Sequence, residues 1–144
     1  MGAVGLTRGQ FTLDAGSTKY TPLQGSFQEP TPSRKELWHE VTESTVIPRK
    51  DLGPEKPTVS GTVLLTSATA DTFKNAVLTT SARYFRWHNG TQEVYIKVYS
   101  GRVTSDSIVY MDGTTTVYRK VGFSFTGYDT RLYNGANDAV IWGA

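Results

Sequence analysis

The sequence predicts a mainly β fold, an antiparallel β-sandwich or barrel with one short α-helix and one long loop. Three observations carry this. Aromatic residues make up 12% of the chain and glycine contributes 14 positions, with Thr, Val and Ser abundant beside them, which is the composition of twisted sheets joined by tight turns. The last third alternates apolar and polar residues in runs broken by Asn-Gly and Asp-Gly, the period of half-buried strands. Helical spacing occurs convincingly in a single segment. A chain of 144 residues is the size of one domain, spanning 1–144, and buries roughly 68–70% of its unfolded surface without staples.

Taken in order, Gln10–Leu13 and Thr18–Thr21 read as short strands joined by the turn-forming Asp14-Ala15-Gly16-Ser17. Leu23 to Phe27 is a third run that could pair beside them. Glu29-Pro30-Thr31-Pro32-Ser33 then reads as an extended connection, because two prolines in three residues do not fit a central strand. Glu36 to Glu43 is the next expected strand. From Ser44 to Pro57 the chain carries Pro48, Pro54, Pro57 and Gly53, so a long loop without regular pairing is expected, and long loops in compact domains are commonly functional.

Val59 to Thr66 is a strand, and the helix follows it. Ser67 or Thr69 is the expected cap, with Asp71 in the first turn, where the helix dipole favours an anion. Ala70, Phe73, Ala76 and Val77 form its apolar stripe, and Thr79-Thr80-Ser81 ends it. Four antiparallel strands in a meander complete the prediction. Arg83–Trp87 turns at Asn89-Gly90 as a type I′ hairpin into Thr91–Ser100. Arg102–Met111 turns at Asp112-Gly113 into Thr114–Thr126, with Val117, Val121, Phe123 and Phe125 in phase. The tail from Tyr128 has weak periodicity, and Ile141 and Trp142 are expected to dock.

Composition narrows the function classes. Cysteine is absent, which removes disulfides, thiolate chemistry and Cys-based zinc sites. The formal charge is +2, from 15 basic and 13 acidic residues scattered along the chain, rather than the clustered excess of a nucleic-acid domain. Met1-Gly2-Ala3-Val4-Gly5-Leu6 lacks a charged n-region, so no signal peptide is expected. No apolar stretch approaches the roughly 18 residues a membrane helix needs.

Catalytic motifs are weak. His39 has Glu36, Glu40 and Glu43 as neighbours, but Glu40 points away from His39 in an alternating strand, so an ordinary surface histidine is the preferred reading. His88 precedes a turn. Asp106 and Asp112 are the nominal carboxylate pair, yet Asp112 is already explained by its Asp-Gly turn. Gly2, Gly5 and Gly9 do not have the dinucleotide-binding spacing, and Asn89-Gly90-Thr91 fits a glycosylation sequon less well than a turn. No cofactor or metal is expected, and the protein is expected not to be an enzyme.

Two binding readings stand. Tyr84, Phe85, Trp87, Tyr95 and Tyr99 lie near Arg83, Arg86, Lys97 and Arg102, the ingredients of a stacking platform for sugar or nucleic acid, although alternating strands would bury one of these rows. The second reading is self-association. Arg34, Lys35, Arg49, Lys50 and Lys56 are balanced by Glu36, Glu40, Glu43, Asp51 and Glu55, a mixture with which each sign on one copy meets its opposite on the next. Val46, Ile47 and Leu52 supply apolar contact, so Val46, Ile47, Pro48, Arg49, Lys50, Asp51 and Leu52 are the candidate subunit-interface residues. A surface loop without a partner is the alternative.

The chain has an opening hairpin, then RKELWHEVTESTVIPRKDLGPEKPTVSGTVLLT, then the helix SATADTFKNAVL, and then a meander ending in TTTVYRKVGFSFTGYD. From about Lys35 to Tyr128 this order resembles the tail tube proteins of contractile and long non-contractile phage tails. The resemblance implies a tail-tube-like β domain in hexameric rings. The rings stack into a hollow virion tube that passes DNA transiently and without sequence preference. It implies assembly in the host cytoplasm, an inter-subunit loop at Ser44–Pro57, and a tape-measure protein and tail-end proteins as partners. Lumens of that family are acidic, whereas the meander here carries Arg83, Arg86, Lys97, Arg102, Arg119 and Lys120. Either these residues face outward, or the chain is a terminator, distal tail or decoration protein of similar fold.

Overall fold

The computed structural model describes residues 4–13, 18–32, 34–38, 49–110, 113 and 115–143, with 34–38 and 49–54 described as backbone. The elements are β1 (Phe11–Leu13), β2 (Lys19–Tyr20), β3 (Arg34–Trp38), β4 (Arg49–Pro54), β5 (Thr58–Thr66), α1 (Ser67–Leu78), β6 (Arg83–His88), β7 (Glu93–Val109), β8 (Tyr118–Gly127), β9 (Leu132–Asn134) and β10 (Val140–Trp142). All strand pairings are antiparallel, and the predicted mainly β class with one helix holds.

One long strand organises the rest. The first part of β7 pairs with β6 and β9, in a path β10-β9-β7-β6-β1-β2, while its second part pairs with β8, which pairs with β5. The two parts belong to facing layers. Phe11 on β1 and Phe85 on β6 meet Phe123 on β8 at 4.9 and 5.8 Å between ring centroids, although β8 pairs with neither strand, so these rings touch across a sandwich core. Among the described strands the path does not close into a barrel.

The core is built from the alternation that the sequence displays. Val94, Ile96 and Val98 of β7, Val121, Phe123 and Phe125 of β8, and Val59 and Val63 of β5 are buried on the inner faces. Helix α1 supplies Ala70, Phe73 and Val77. Phe73 meets Phe11, Tyr20 and Phe123 edge-on at 6.2, 4.8 and 5.7 Å, so the helix seals the sandwich with an aromatic plug, a geometry worth roughly 0.5–1.5 kcal/mol per ring pair beyond area burial.

Several expectations are corrected. The helix cap is Thr66, in extended conformation, whose hydroxyl lies 2.8 Å from that of Thr69, and Asp71 falls beyond the first turn. Arg102–Met111 is not a separate strand: Ser100-Gly101 continues β7 through a register shift between Val98 and Gly101. The meander therefore has three strands rather than four. The β6–β7 loop is not a two-residue type I′ turn. It spans Asn89–Gln92, closed by Asn89 N–H donating to the Gln92 carbonyl at 3.1 Å. Asn89 Oδ1 accepts from the Thr91 and Gln92 amides at 2.9 Å each, and Gly90 alone takes a positive φ of 96°. The asparagine acts there through its side chain. Val117 precedes β8 and is exposed. Leu23–Phe27 forms a turn beside β5, with Leu23 N–H donating to Thr62 and Gln28 bridging Ser60. The tail forms the β9–β10 hairpin, in which Trp142 packs on the core while Ile141 stays exposed.

Candidate assembly surfaces

The excursion singled out in the sequence is partly a hairpin. Arg49–Pro54 pairs with Arg34–Trp38, in the register Trp38↔Arg49, Leu37↔Lys50, Glu36↔Asp51, Lys35↔Gly53 and Arg34↔Pro54. This overturns the expectation of a loop without pairing. In a two-stranded sheet both strands are edges, and Pro54 is the last residue of its strand, where a missing donor is tolerated. Leu52 is the extra residue of a bulge, since the register skips it between Asp51 and Gly53. Of the candidate interface residues, Arg49, Lys50, Asp51 and Leu52 thus lie on β4, and Val46, Ile47 and Pro48 lie outside the described residues, as do His39, Glu40 and Glu43. Among the described strands β3 and β4 pair only with each other.

A second unpaired feature is the outer edge of β7. Beyond Val98 this strand is bonded to β8 along one side, and on the other side Tyr99 O accepts from Ser81 N–H. From Ser100 to Val109 no described strand pairs with that side. Asp106 illustrates the exposure. The residue as a whole is exposed although its side chain is only 20% so, which places the open surface on its backbone. Ile108 and Tyr110 are exposed at the end of the same edge, 56% and 89% respectively.

The fold buries three of the five aromatic residues of the stacking platform suggested by composition, Phe85, Trp87 and Tyr95, while Tyr84 is half-buried and Tyr99 is exposed. Phe85 and Trp87 belong to the core. On the opposite face Tyr84 meets Tyr95 at 4.8 Å with tilted rings, and Tyr95 stacks on Tyr133 at 5.0 Å, but Tyr95 and Tyr133 are only 4% and 6% exposed. Burial raises the Tyr95 phenol's pKa well above its ordinary value, and its hydrogen bond to Asp138 at 2.9 Å raises it further. Tyr95 and Tyr133 have no free face to offer a base or sugar.

The cations divide in the same way. Arg83 donates to the carbonyls of Ala76 and Val77, the latter at 2.8 Å, and so closes the C-terminus of α1. Arg86 is fully buried, lies 4.8 Å from the Tyr95 ring centroid and donates to Gly135 O at 3.2 Å. Lys97 lies 4.8 Å from the Tyr133 ring centroid. Arg119 bridges Asp106 and Asp71 from β8 to β7 and the helix, and Lys74 completes the cluster with Asp106 at 2.7 Å. The hydrogen bond from Lys74 holds the Asp106 carboxyl below its ordinary value, with Arg119 adding to the effect, and it raises Lys74 in return. Asp106 is therefore committed to an ion-pair network, and its nominal partner Asp112 lies outside the described residues.

A groove of about 690 Å³ runs between the 8–10 segment, the 21–29 segment and the β6–β7 loop. Two of its polar contacts are local pairings. Trp87 donates its indole N–H to Glu29 at 3.0 Å, and His88 Nδ1 accepts from the Gly90 amide at 3.0 Å. Trp87 is 2% exposed, so its ring gives the groove no stacking surface. Among the described residues no group of acidic and histidine side chains has metal-site geometry.

Sequence reasoning missed Glu93, which accepts as many hydrogen bonds as Asp106. Glu93 accepts from the backbone amides of Val4, Gly5 and Leu6 at 2.9, 3.1 and 3.3 Å, tying the N-terminal segment to β7. The sequence signal is a lone acid on the first position of an apolar strand, which does not announce its partners. No helix of the described residues is long and apolar enough to cross a membrane. Compared with protein-family models and with curated proteins, the sequence has no match.

Proposed function

We propose that this protein is a non-enzymatic virion subunit that builds a tube from copies of itself, as hexameric rings that stack into a phage tail tube. The observation that carries the reading is the side of β7 from Ser100 to Val109, with which no described strand pairs. Exposed strand edges are normally shortened, covered or made proline-rich, because they template pairing with another chain. This edge is long and ends in exposed Ile108 and Tyr110. A ring provides its complement by placing a neighbour's strand against it, a heterologous contact that closes by rotation.

The β3–β4 hairpin supports the same reading. Its two strands carry Arg34, Lys35, Arg49 and Lys50 beside Glu36 and Asp51, a charge mixture suited to fixing the register between copies. Resemblance to tail tube proteins in element order supplies the hexameric ring and the conduit for DNA. Tape-measure and tail-end proteins would be its partners in a virion. Negative-stain microscopy and sedimentation of the purified protein test this. Rings or tubes are the expected result, and a strictly monomeric species at high concentration overturns it. If the protein docks only onto a different protein and never onto itself, it is a terminator, distal tail or decoration component instead.

A further inference from the structure

We infer that the outward face of the β5–β8–β7 layer is a contact surface for the phosphodiester backbone of nucleic acid, with Arg102 and Lys120 as its cations. The face is defined by register. Phe123 and Phe125 point into the core, so Ser124 and its partners Arg102 and Ser60 point out, as do Lys120 with Ser107 and Leu64, and Gly122 with Ser105 and Thr62. Thr126 and Thr58 continue the pattern. Among the described residues these three strands thus present a grid of hydroxyl side chains, two cations and no carboxylate on this face; Ser124 at its middle is only 8% exposed, and Glu29 and Glu55 border its Thr58 end.

The commitments of the other cations single out these two. Of the six basic residues on β6, β7 and β8 that made the meander look basic, Arg83 closes the helix, Arg86 is buried on Tyr95, Lys97 lies on Tyr133 and Arg119 bridges two aspartates. Arg102 and Lys120 are exposed, and no described residue forms an ion pair with either. They stand two rows apart on neighbouring strands, which strand geometry puts on the order of 14 Å. The centre of the grid is kept low and hydroxylic. A Cβ at Gly122 would lie 2.5 Å from both Ser105 Oγ and Thr104 Oγ1, so those hydroxyls already fill the space above it.

The chemistry selects the occupant. A protein partner would be expected to meet aromatic and aliphatic anchors at the centre of its interface, whereas here Leu64 is half-buried and Tyr118 and Val109 lie at one end of the grid. Phosphate oxygens take hydrogen bonds from Ser and Thr hydroxyls and charge from Arg and Lys, without base readout. An extended polyanion running from Arg102 to Lys120 would meet the exposed hydroxyls of Thr104, Ser105 and Ser107 and, among the described residues, no carboxylate on that stretch of the face. The inference does not rest on the tube reading, because the face exists on a single chain.

The test is fluorescence anisotropy of a short labelled DNA duplex titrated with the protein over a series of salt concentrations, on whatever species sedimentation finds. The slope of log affinity against log salt should fall by about 1 for Arg102→Ser or Lys120→Ser and by about 2 for the double variant. Arg131→Ser, on an exposed residue outside this layer, should leave the slope unchanged. No duplex binding at low salt, or an unchanged slope in the double variant, overturns the inference, as does equal competition by polyglutamate. Absence of rings would count against the tube and leave this measurement intact.

Discussion

Gly101 lies directly beneath the ring of Phe125: a Cβ built on the glycine would stand 2.6 Å from Phe125 Cε1. The two residues are register partners at the point where β7 passes from one layer to the other, and the buried ring occupies the space a side chain would need. Gly101→Val should therefore overpack the core at its joint and destabilise by about 1–3 kcal/mol. In urea denaturation the midpoint should drop with little change in slope. An unaltered midpoint would mean that the ring moves aside freely.

Arg83 sits at the other structural joint, between the end of α1 and the start of β6. Its guanidinium satisfies two helix-terminal carbonyls while lying 5.3 Å from the Phe125 ring centroid. Arg83→Met keeps most of the apolar stem but leaves those carbonyls without their charged donor. The expected loss is about 1.5–3 kcal/mol. Arg83→Lys should recover only part of it, because one ammonium cannot reproduce a planar fork. Thermal unfolding of the two variants checks the order.

Glu93→Ala should free the N-terminal segment. Three backbone amides converge on this one carboxylate, and its removal leaves them seeking water, at a cost of about 1–3 kcal/mol. Hydrogen exchange of Val4, Gly5 and Leu6 should accelerate far more than that of Ile96 or Val98 in the core. Uniform acceleration across the chain would show that the carboxylate supports the whole fold.

The Asp106 network predicts a specific acid response. The Asp106 carboxyl is held below its ordinary value of 3.8, first by its hydrogen bond to Lys74. A depressed folded value means that the stabilisation is complete above 3.8 and is lost as pH falls through the lower folded value. Wild type should exceed Asp106→Asn at neutral pH by no more than about 1 kcal/mol, since the cluster is solvent-screened. The two should converge in denaturation curves taken well below pH 3.8. A difference that persists in strong acid would point to packing rather than charge.

Much of the fold was legible because one chemical signal dominated it. Val94, Ile96 and Val98, or Val121, Phe123 and Phe125, alternate without interruption, and burial follows directly. Misreadings arose where two signals competed. Ser100-Gly101 looks like a break, yet the glycine is there to admit Phe125. Prolines 48 and 54 look like strand breakers, yet a hairpin of two edges accommodates Pro54. Short β9 and β10 offer too few residues for a period to emerge. Polar sites were the least legible: the separate fates of Arg83, Arg86, Arg102 and Arg119 depend on neighbours distant in sequence, which periodicity does not encode.

The separateness of the β3–β4 hairpin yields the sharpest test of self-assembly. Residues 34–54 contribute no described pairing to the eight-stranded sheet, and Thr31 and Glu55 line one small pocket, so the ends of the excursion lie close together. Replacing 34–54 with a short Gly-Ser connection should therefore leave the body folded, because shortening a loop whose ends already meet costs little closure entropy. The thermal transition and far-ultraviolet spectrum of the body should survive. If the hairpin is what a neighbouring copy grips, rings and tubes should vanish in micrographs while the truncated protein sediments as a monomer. Persistent tubes would place the contact on the β7 edge alone, and exchanging Ile108 for Lys there should then abolish them, since a charge on an open edge blocks strand addition.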